Sequence, residues 1–125
     1  MPGFIPHFIA GNAMFLIGSY YIQTYTHMQN NIKNQLSLYF ICITCSIVPD
    51  FPLALYYLLH VGSYKSLVQP HAFLHLIISP AAVILFIALN FIYPVKKKPL
   101  WIFGILCILI HILMDATIQE TSIWI

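Results

Sequence analysis

Apolar residues occur in four long segments of the chain, and short polar clusters separate these segments. The segments cover residues 4–22, 36–59, 71–92 and 100–118. Each is close to the length of about 20 apolar residues that a helix needs to cross the hydrocarbon core of a bilayer. We therefore predict an all-α integral membrane protein, in which residues 1–125 form a single domain built as a compact bundle of about four transmembrane helices.

The composition excludes the soluble and disordered classes of protein. Hydrophobic residues make up 61% of the chain and charged residues 6%, and the mean hydropathy is +0.89. Soluble domains carry about 25% charged residues, so this chain has too few charges to cover a surface that faces water. The net charge is +2, and all the basic residues are lysines. We interpret these lysines as determinants of membrane topology and not as a nucleic-acid-binding surface.

The lysines predict the orientation of the chain in the membrane. Lys33 lies in the first connection, Lys65 in the second, and Lys96, Lys97 and Lys98 in the third. Positive residues in short loops favour the cytoplasmic side, so we expect the first and third connections in the cytoplasm and both termini outside. No lysine precedes the first apolar segment, so the positive region of a secretory signal is missing and we interpret this segment as a retained helix.

Ionisable residues lie inside the apolar segments, where they are costly and are therefore candidates for function. With a rise of 1.5 Å per residue, four of them fall about 21–26 Å above the cytoplasmic ends of their helices, and His71 and His111 lie one turn farther out and one turn farther in, which places all six in one polar layer in the outer half of the bilayer. Two pairs have the i, i+4 spacing that puts side chains on one helix face. The six residues are His7, Asp50, His71, His75, His111 and Asp115.

This set of imidazoles and carboxylates is typical of a divalent metal site. It suits zinc best and also manganese or iron, and it could hold two ions. Other interpretations remain open for single residues. A lone histidine can form an interhelical hydrogen bond, Asp50 can cap a half-helix that begins at Phe51, and His71 can begin a helix after Pro70. The pair Cys42 and Cys45 is more typical of small apolar core residues than of a redox or metal site.

Four sequence motifs resemble a bacterial family of small inner-membrane proteins that are described as metal-dependent hydrolases. They are PHFIAG at His7, IVPDFP at Asp50, PHAFLHL at His71 and His75, and IHILMD at His111 and Asp115. The resemblance covers the whole chain in order, and it implies a multi-pass protein of the bacterial inner membrane with a metal-dependent hydrolytic activity. The chain departs from the family at Pro52, where the family has a second Asp, and in the spacing of its paired histidines, which is one residue shorter.

We therefore expect a membrane-embedded hydrolase that uses a metal-activated water on a lipid or lipid-linked ester or phosphoester. His7, Asp50, His71, His75, His111 and Asp115 are the predicted metal ligands. Asp50 is also the expected general base, and His71, or alternatively His7, the group that protonates the leaving group. Membrane lipids are the expected partners, with self-association or a larger membrane partner left open. The alternatives are a protein that transports or binds metal ions or protons, and a haem-binding electron-transfer subunit.

Overall fold

The computed structural model describes residues 4–26 and 28–117, and the protein is all-helical over these residues, which confirms the all-α part of the predicted fold class. The helices are α1 (Phe4–Tyr25), α2 (Ile32–Ile47), α3 (Phe51–Leu59), α4 (Tyr64–Phe73), α5 (Ser79–Ile92) and α6 (Lys98–Thr117). Between them lie 3-10 turns at Val48–Asp50 and Val95–Lys97 and a π turn at Leu74–Ile78. Residue 118, the last of the predicted fourth segment, lies outside the described residues.

Two helices begin earlier than the apolar pattern predicts, because side chains cap their first turns. The side chain of Asn31 accepts a hydrogen bond from the backbone N–H of Asn34 at 2.9 Å, and α2 begins at Ile32 instead of residue 36. Ser63 and Ser66 form a reciprocal capping box, and α4 begins at Tyr64 instead of residue 71. Caps satisfy the free N–H groups of a first turn whether or not the residues there are apolar.

Prolines explain the two irregular turns inside the long helical stretches. Pro49 lies in the 3-10 turn between α2 and α3, and Pro80 lies at the start of α5, directly after the π turn. Proline has no N–H to donate, and its ring crowds the carbonyl group four residues earlier. A π turn relieves such crowding by widening the helix locally.

α6 lies at the centre of the packing, in contact with α1, α2 and α5, while α3 packs on α4. Gly18 allows α1 to approach closely, since a Cβ atom there would stand 3.1 Å from Leu38 and from Phe103. The buried apolar core lies around this approach and consists of Met14, Ile22, Met28, Leu38, Cys42, Leu100, Phe103 and Cys107.

Apolar side chains cover the outside of the molecule. Phe91 is 85% exposed and Leu76 is 73% exposed, whereas Asp50 and His111 are each 1% exposed. Among the described residues, two stretches are long and apolar enough to cross a membrane, Lys65–Ile92 and Val95–Thr117. Buried charged groups beneath an extensively apolar surface are unusual in a soluble domain, where charged groups are rarely buried.

Candidate metal centre

The structure brings all six predicted residues together at one end of the bundle. They come from four separate parts of the chain: His7 from α1, Asp50 from the 3-10 turn, His71 from α4 with His75 from the π turn, and His111 and Asp115 from α6. We call these six residues the His/Asp cluster.

The local irregularities of the backbone position two of these side chains. Asp50 directly follows Pro49 and is the last residue of the 3-10 turn Val48–Asp50. It is 1% exposed. His75 lies in the π turn, where Leu74 accepts hydrogen bonds from both the backbone N–H and the hydroxyl of Ser79. The π turn allows His75 to face inward beside His71, and their ring centroids lie 4.4 Å apart.

A first group within the cluster contains His7, Asp50, His111 and Asp115, and these residues could hold a metal ion. Nε2 of His7 lies 3.1 Å from Oδ2 of Asp50 and 3.2 Å from Oδ1 of Asp115. Nε2 of His111 lies 3.3 Å from Oδ2 of Asp115. The candidate ligand atoms all lie within 4.8 Å of one another, so modest side-chain movements would bring them to coordination distance.

A second group contains Asp50, His71 and His75, so that Asp50 belongs to both groups. Oδ1 of Asp50 faces this second group, 3.3 Å from Nε2 of His75 and 3.7 Å from Nδ1 of His71. His75 also connects the groups, since its Nε2 lies 3.5 Å from Nε2 of His111 and its Nδ1 lies 3.4 Å from Oδ2 of Asp115. The two oxygens of one carboxylate therefore face different sets of nitrogen donors.

Backbone carbonyl groups fix the orientation of two of the rings. Nδ1 of His111 lies 2.8 Å from the carbonyl oxygen of Ser46, and Nδ1 of His71 lies 3.2 Å from that of Pro49. A carbonyl oxygen only accepts hydrogen bonds, so each Nδ1 must donate. In a neutral His111, Nε2 then carries the lone pair and directs it into the cluster, an arrangement that is common in metal-binding histidines.

For His71 the same hydrogen bond has a different consequence. The Nδ1 atom that donates to Pro49 is the one near Asp50, so this atom does not offer a lone pair in that tautomer. The bond supports a positioning role for His71 at the edge of the cluster, and its predicted roles as ligand and acid remain predictions.

Several polar atoms of the cluster are buried without a hydrogen-bond partner. They are Nδ1 of His7, Oδ2 of Asp50 and Oδ2 of Asp115. His7 Nε2 approaches Oδ2 of Asp50 to 3.1 Å, but the pair does not have the geometry of a hydrogen bond. Buried polar atoms without partners are costly, and a divalent cation would satisfy both carboxylates and balance their charge. The donor set therefore fits a metal ion.

Sequence reasoning did not find the two carbonyl groups that orient the rings, because a backbone acceptor carries no residue signature. Ser46 does lie one helical turn before Asp50, which is the one signal that the sequence offers. The cysteines Cys42, Cys45 and Cys107 are free thiols and belong to neither group of candidate ligands in the described part of the chain.

Comparisons with family models, curated proteins and solved structures found no match to this chain. The resemblance to the hydrolase family therefore rests on the sequence motifs alone.

Proposed function

We propose that the protein is a membrane-embedded, metal-dependent hydrolase that acts on a lipid or lipid-linked ester or phosphoester. The observation that carries this proposal is the buried His/Asp cluster, in which carboxylate oxygens of Asp50 and Asp115 have no hydrogen-bond partner. Such a cluster is costly in a packed interior unless a cation completes it.

The surface of the molecule supports the membrane part of the proposal. In this proposal, α1, α2 with α3, α4 with α5, and α6 form about four spans of the bacterial inner membrane. Lys33 and Lys97 line one cavity with Trp101, so the first and third connections meet at one end of the bundle, away from the cluster. The rule that positive residues remain inside would place that end in the cytoplasm and the His/Asp cluster in the outer half of the bilayer.

The donor set supports hydrolysis. Asp50, His75, His111 and Asp115 would hold a divalent ion, zinc in our proposal, with manganese and iron as the other ions that these donors suit, and the ion would supply a nucleophilic water near neutral pH and polarise the scissile group. Of the donors Asp50, His75, His111, Asp115 and His7, three would be enough to hold a tetrahedral ion with its fourth position open. Asp50 could accept the proton of the attacking water through the oxygen that does not hold the ion, and His71 or His7 could donate a proton to the leaving group.

The geometry favours this function over the haem alternative. Haem ligation through two histidines needs a flat macrocycle between their Nε2 atoms. In the cluster the Nε2 atoms of His75 and His111 are 3.5 Å apart, and Oδ1 of Asp50 stands 3.3 Å from the first and 3.9 Å from the second. Carboxylate oxygens therefore stand where the macrocycle would lie.

Transport across the membrane would need a polar path through the bundle. Towards the lysine-bearing end, the described interior continues with apolar residues, among them Leu38, Cys42, Phe103 and Cys107. These packed apolar residues favour a reaction at one end of the bundle over transport of ions through it. The partners that we propose are accordingly membrane lipids, and self-association or a larger membrane partner remains a prediction.

Elemental analysis of detergent-purified protein tests the metal part of the proposal. We expect near-stoichiometric zinc, manganese or iron in the unaltered protein and its loss in Asp115→Asn and His75→Ala. His60→Asn is the matched control, because His60 is an exposed histidine outside the cluster whose left-handed backbone (φ 52°) asparagine also tolerates. Absence of metal from the unaltered protein, even after reloading, would exclude a metal-dependent function.

Turnover tests the hydrolytic part. The metal-loaded protein in mixed micelles would be assayed with a long-chain p-nitrophenyl ester and with a p-nitrophenyl phosphodiester that carries a lipid chain. We expect release of p-nitrophenol from one of them, loss of the activity with a chelator or in Asp115→Asn, and full activity in His60→Asn. A protein that holds its metal and turns over neither probe would contradict the proposal.

A further inference from the structure

An apolar cavity of about 220 Å³ lies next to the His/Asp cluster, and its walls are formed by other residues. α2 and α5 both pack on α6, and the cavity occupies the space between them. Its walls include Pro49 and Cys45 from the α2 side, Ser79, Ala82 and Phe86 from the α5 side, and Ile108 from α6.

The cavity lies beside the cluster: none of the six cluster residues lines it, but residues close to them in the chain do. Pro49 immediately precedes Asp50, and its carbonyl group holds His71. Ser79 follows His75 by four residues and Ile108 precedes His111 by three, so each lies about one helical turn, or 5 Å, from a cluster residue. A molecule in the cavity would therefore have one end within about one helical turn of the His/Asp cluster.

The lining is mostly apolar, and its hydroxyl-bearing side chains are those of Ser79 and Thr44, of which Thr44 is exposed. The hydroxyl of the buried Ser79 already donates a hydrogen bond to the carbonyl oxygen of Leu74 at 3.0 Å. The remaining walls named above are the hydrocarbon surfaces of proline, alanine, phenylalanine and isoleucine and the thiol-bearing side chain of Cys45, a weak hydrogen-bonding group. A cavity with such walls is expected to stay dry and to bind an apolar group.

The shape of the cavity suits a chain that enters from the side. Val48 and Ile78, which are 40% and 41% exposed, line it at the outer surface of the bundle. Phe86 closes its far end, where it packs over Gly104: a Cβ atom at that glycine would stand only 2.6 Å from the Phe86 ring. An apolar cavity of about 150 Å³ holds the six carbons of benzene, so this one holds about nine carbons by proportion.

We propose that this cavity binds the acyl chain of a membrane lipid and presents the polar end of that lipid to the His/Asp cluster. The proposal rests on the proposed function for its membrane setting, and it names the substrate class as a lipid with a linear acyl chain. Lipid chains surround the mouth of the cavity in that setting, and the cluster, beside the walls that Pro49 and Ser79 form, is where the bond to be broken would lie.

The experiment uses the full chain in vesicles of phosphatidylethanolamine that contain phosphatidylglycerol with a photoactivatable diazirine on one acyl chain. After illumination, mass spectrometry locates the labelled peptides. We expect labelling of the segments 44–49 and 78–86. In Ala82→Trp the indole would occupy the space of the acyl chain. We expect labelling of the two segments to fall by about tenfold, because the chain would bind more weakly when it competes with the indole for this space.

Ala81→Trp is the matched control, because Ala81 is the exposed neighbour of Ala82 and lies outside the cavity lining. Its labelling in the two segments should equal that of the unaltered protein. Equal labelling in Ala82→Trp and Ala81→Trp, or labelling spread evenly over all lipid-facing helices, would overturn the acyl-chain proposal.

Metal content, measured on the same samples, separates this proposal from the proposed function. Specific labelling in a protein that never holds metal would support the cavity and contradict the metal-dependent hydrolase. Metal in all three proteins without specific labelling would leave the metal centre intact and exclude the acyl-chain site.

Discussion

The inner surfaces of α1, α2 and α6 differ between the two ends of the bundle. At one end, Ile22, Leu38 and Phe103 are 5% exposed or less and pack as an apolar core. At the other end, His7, Asp50 and His111 are each 1% exposed, and some of their polar atoms lack partners. The same helices thus supply a region that packing stabilises and a region that packing alone leaves unsatisfied.

This difference teaches that stability and function occupy separate lengths of the same helices. The apolar end is stable without a ligand, because dispersion contacts form between any closely packed atoms. The polar end could hold a metal ion, and a cation there would supply the counter-charge that buried carboxylates need. Changes at the two ends should therefore affect different measurements, and the following predictions test that separation from the largest expected effect to the smallest.

Asp50→Ala should give the largest loss of metal affinity. Asp50 is the residue that both groups of candidate ligands share. Zinc binding of about 10–16 kcal/mol is divided over about four ligands, so the loss of one should weaken affinity by about a hundredfold or more. Competition with a chromophoric chelator measures this, with far-ultraviolet circular dichroism as the check on helix content. Unchanged affinity in a folded variant would show that the shared carboxylate is not a ligand.

Leu38→Ala tests the apolar end. Leu38 is completely buried, and its truncation should lower the free energy of unfolding by about 2–5 kcal/mol through lost contacts and a cavity. Unfolding in mixed micelles by a denaturing detergent measures this loss. The metal content of the folded fraction should equal that of the unaltered protein. A parallel loss of metal would mean that the two ends are coupled and that the separation is wrong.

The sequence already predicted much of this division. The i, i+4 pairs His71 with His75 and His111 with Asp115 indicated inward-facing polar positions, and the structure places both pairs in the cluster. The prediction for His111 with Asp115 succeeds because both lie in the regular helix α6, where periodicity converts spacing directly into direction, whereas His75 lies in the π turn.

Other features could not be predicted, for physical reasons. The starts of α2 and α4 depend on the caps at Asn31 and Ser63. These capping residues are polar, so a pattern of apolar residues does not reveal them. The π turn depends on how Pro80 is accommodated by its neighbours. The carbonyl groups that orient His71 and His111 belong to the backbone, and the apolar cavity results from packing between helices that are distant in sequence.

Gly11→Ala tests whether packing at the polar end controls the metal centre. A Cβ atom at Gly11 would stand 3.0 Å from Oγ of Ser46 and 3.3 Å from the carbonyl oxygen of Cys42. α1 must then move away from α2 by a few tenths of an ångström, which carries His7 away from Asp50. We expect metal affinity to fall by about tenfold, comparable to the loss of a residue that orients a metal ligand.

The matched control is Gly104→Ala, which introduces the same methyl group on α6 beside Phe86 and Ile41. That variant should lower the free energy of unfolding by about 1–3 kcal/mol through overpacking and leave metal affinity as it was. If both glycine variants weakened metal binding equally, a general loosening of the bundle would explain the result better than displacement of His7.

Cys107→Ala should have the smallest effect on stability and metal binding, and it tests whether the Cys107 thiol is a metal ligand. Cys107 is 1% exposed and lies one helical turn before His111, close enough to the cluster for a sulfur ligand to be considered. It belongs to the apolar core, so its loss should cost only about 1 kcal/mol of stability, the typical effect of a single substitution. Cobalt substitution gives the sharpest measurement, because a thiolate ligand produces an intense charge-transfer band that histidine and aspartate do not. We expect no such band in the unaltered protein and the same spectrum in Cys107→Ala, whereas a band that disappears in the variant would extend the metal centre into the apolar end and remove the boundary between the two regions.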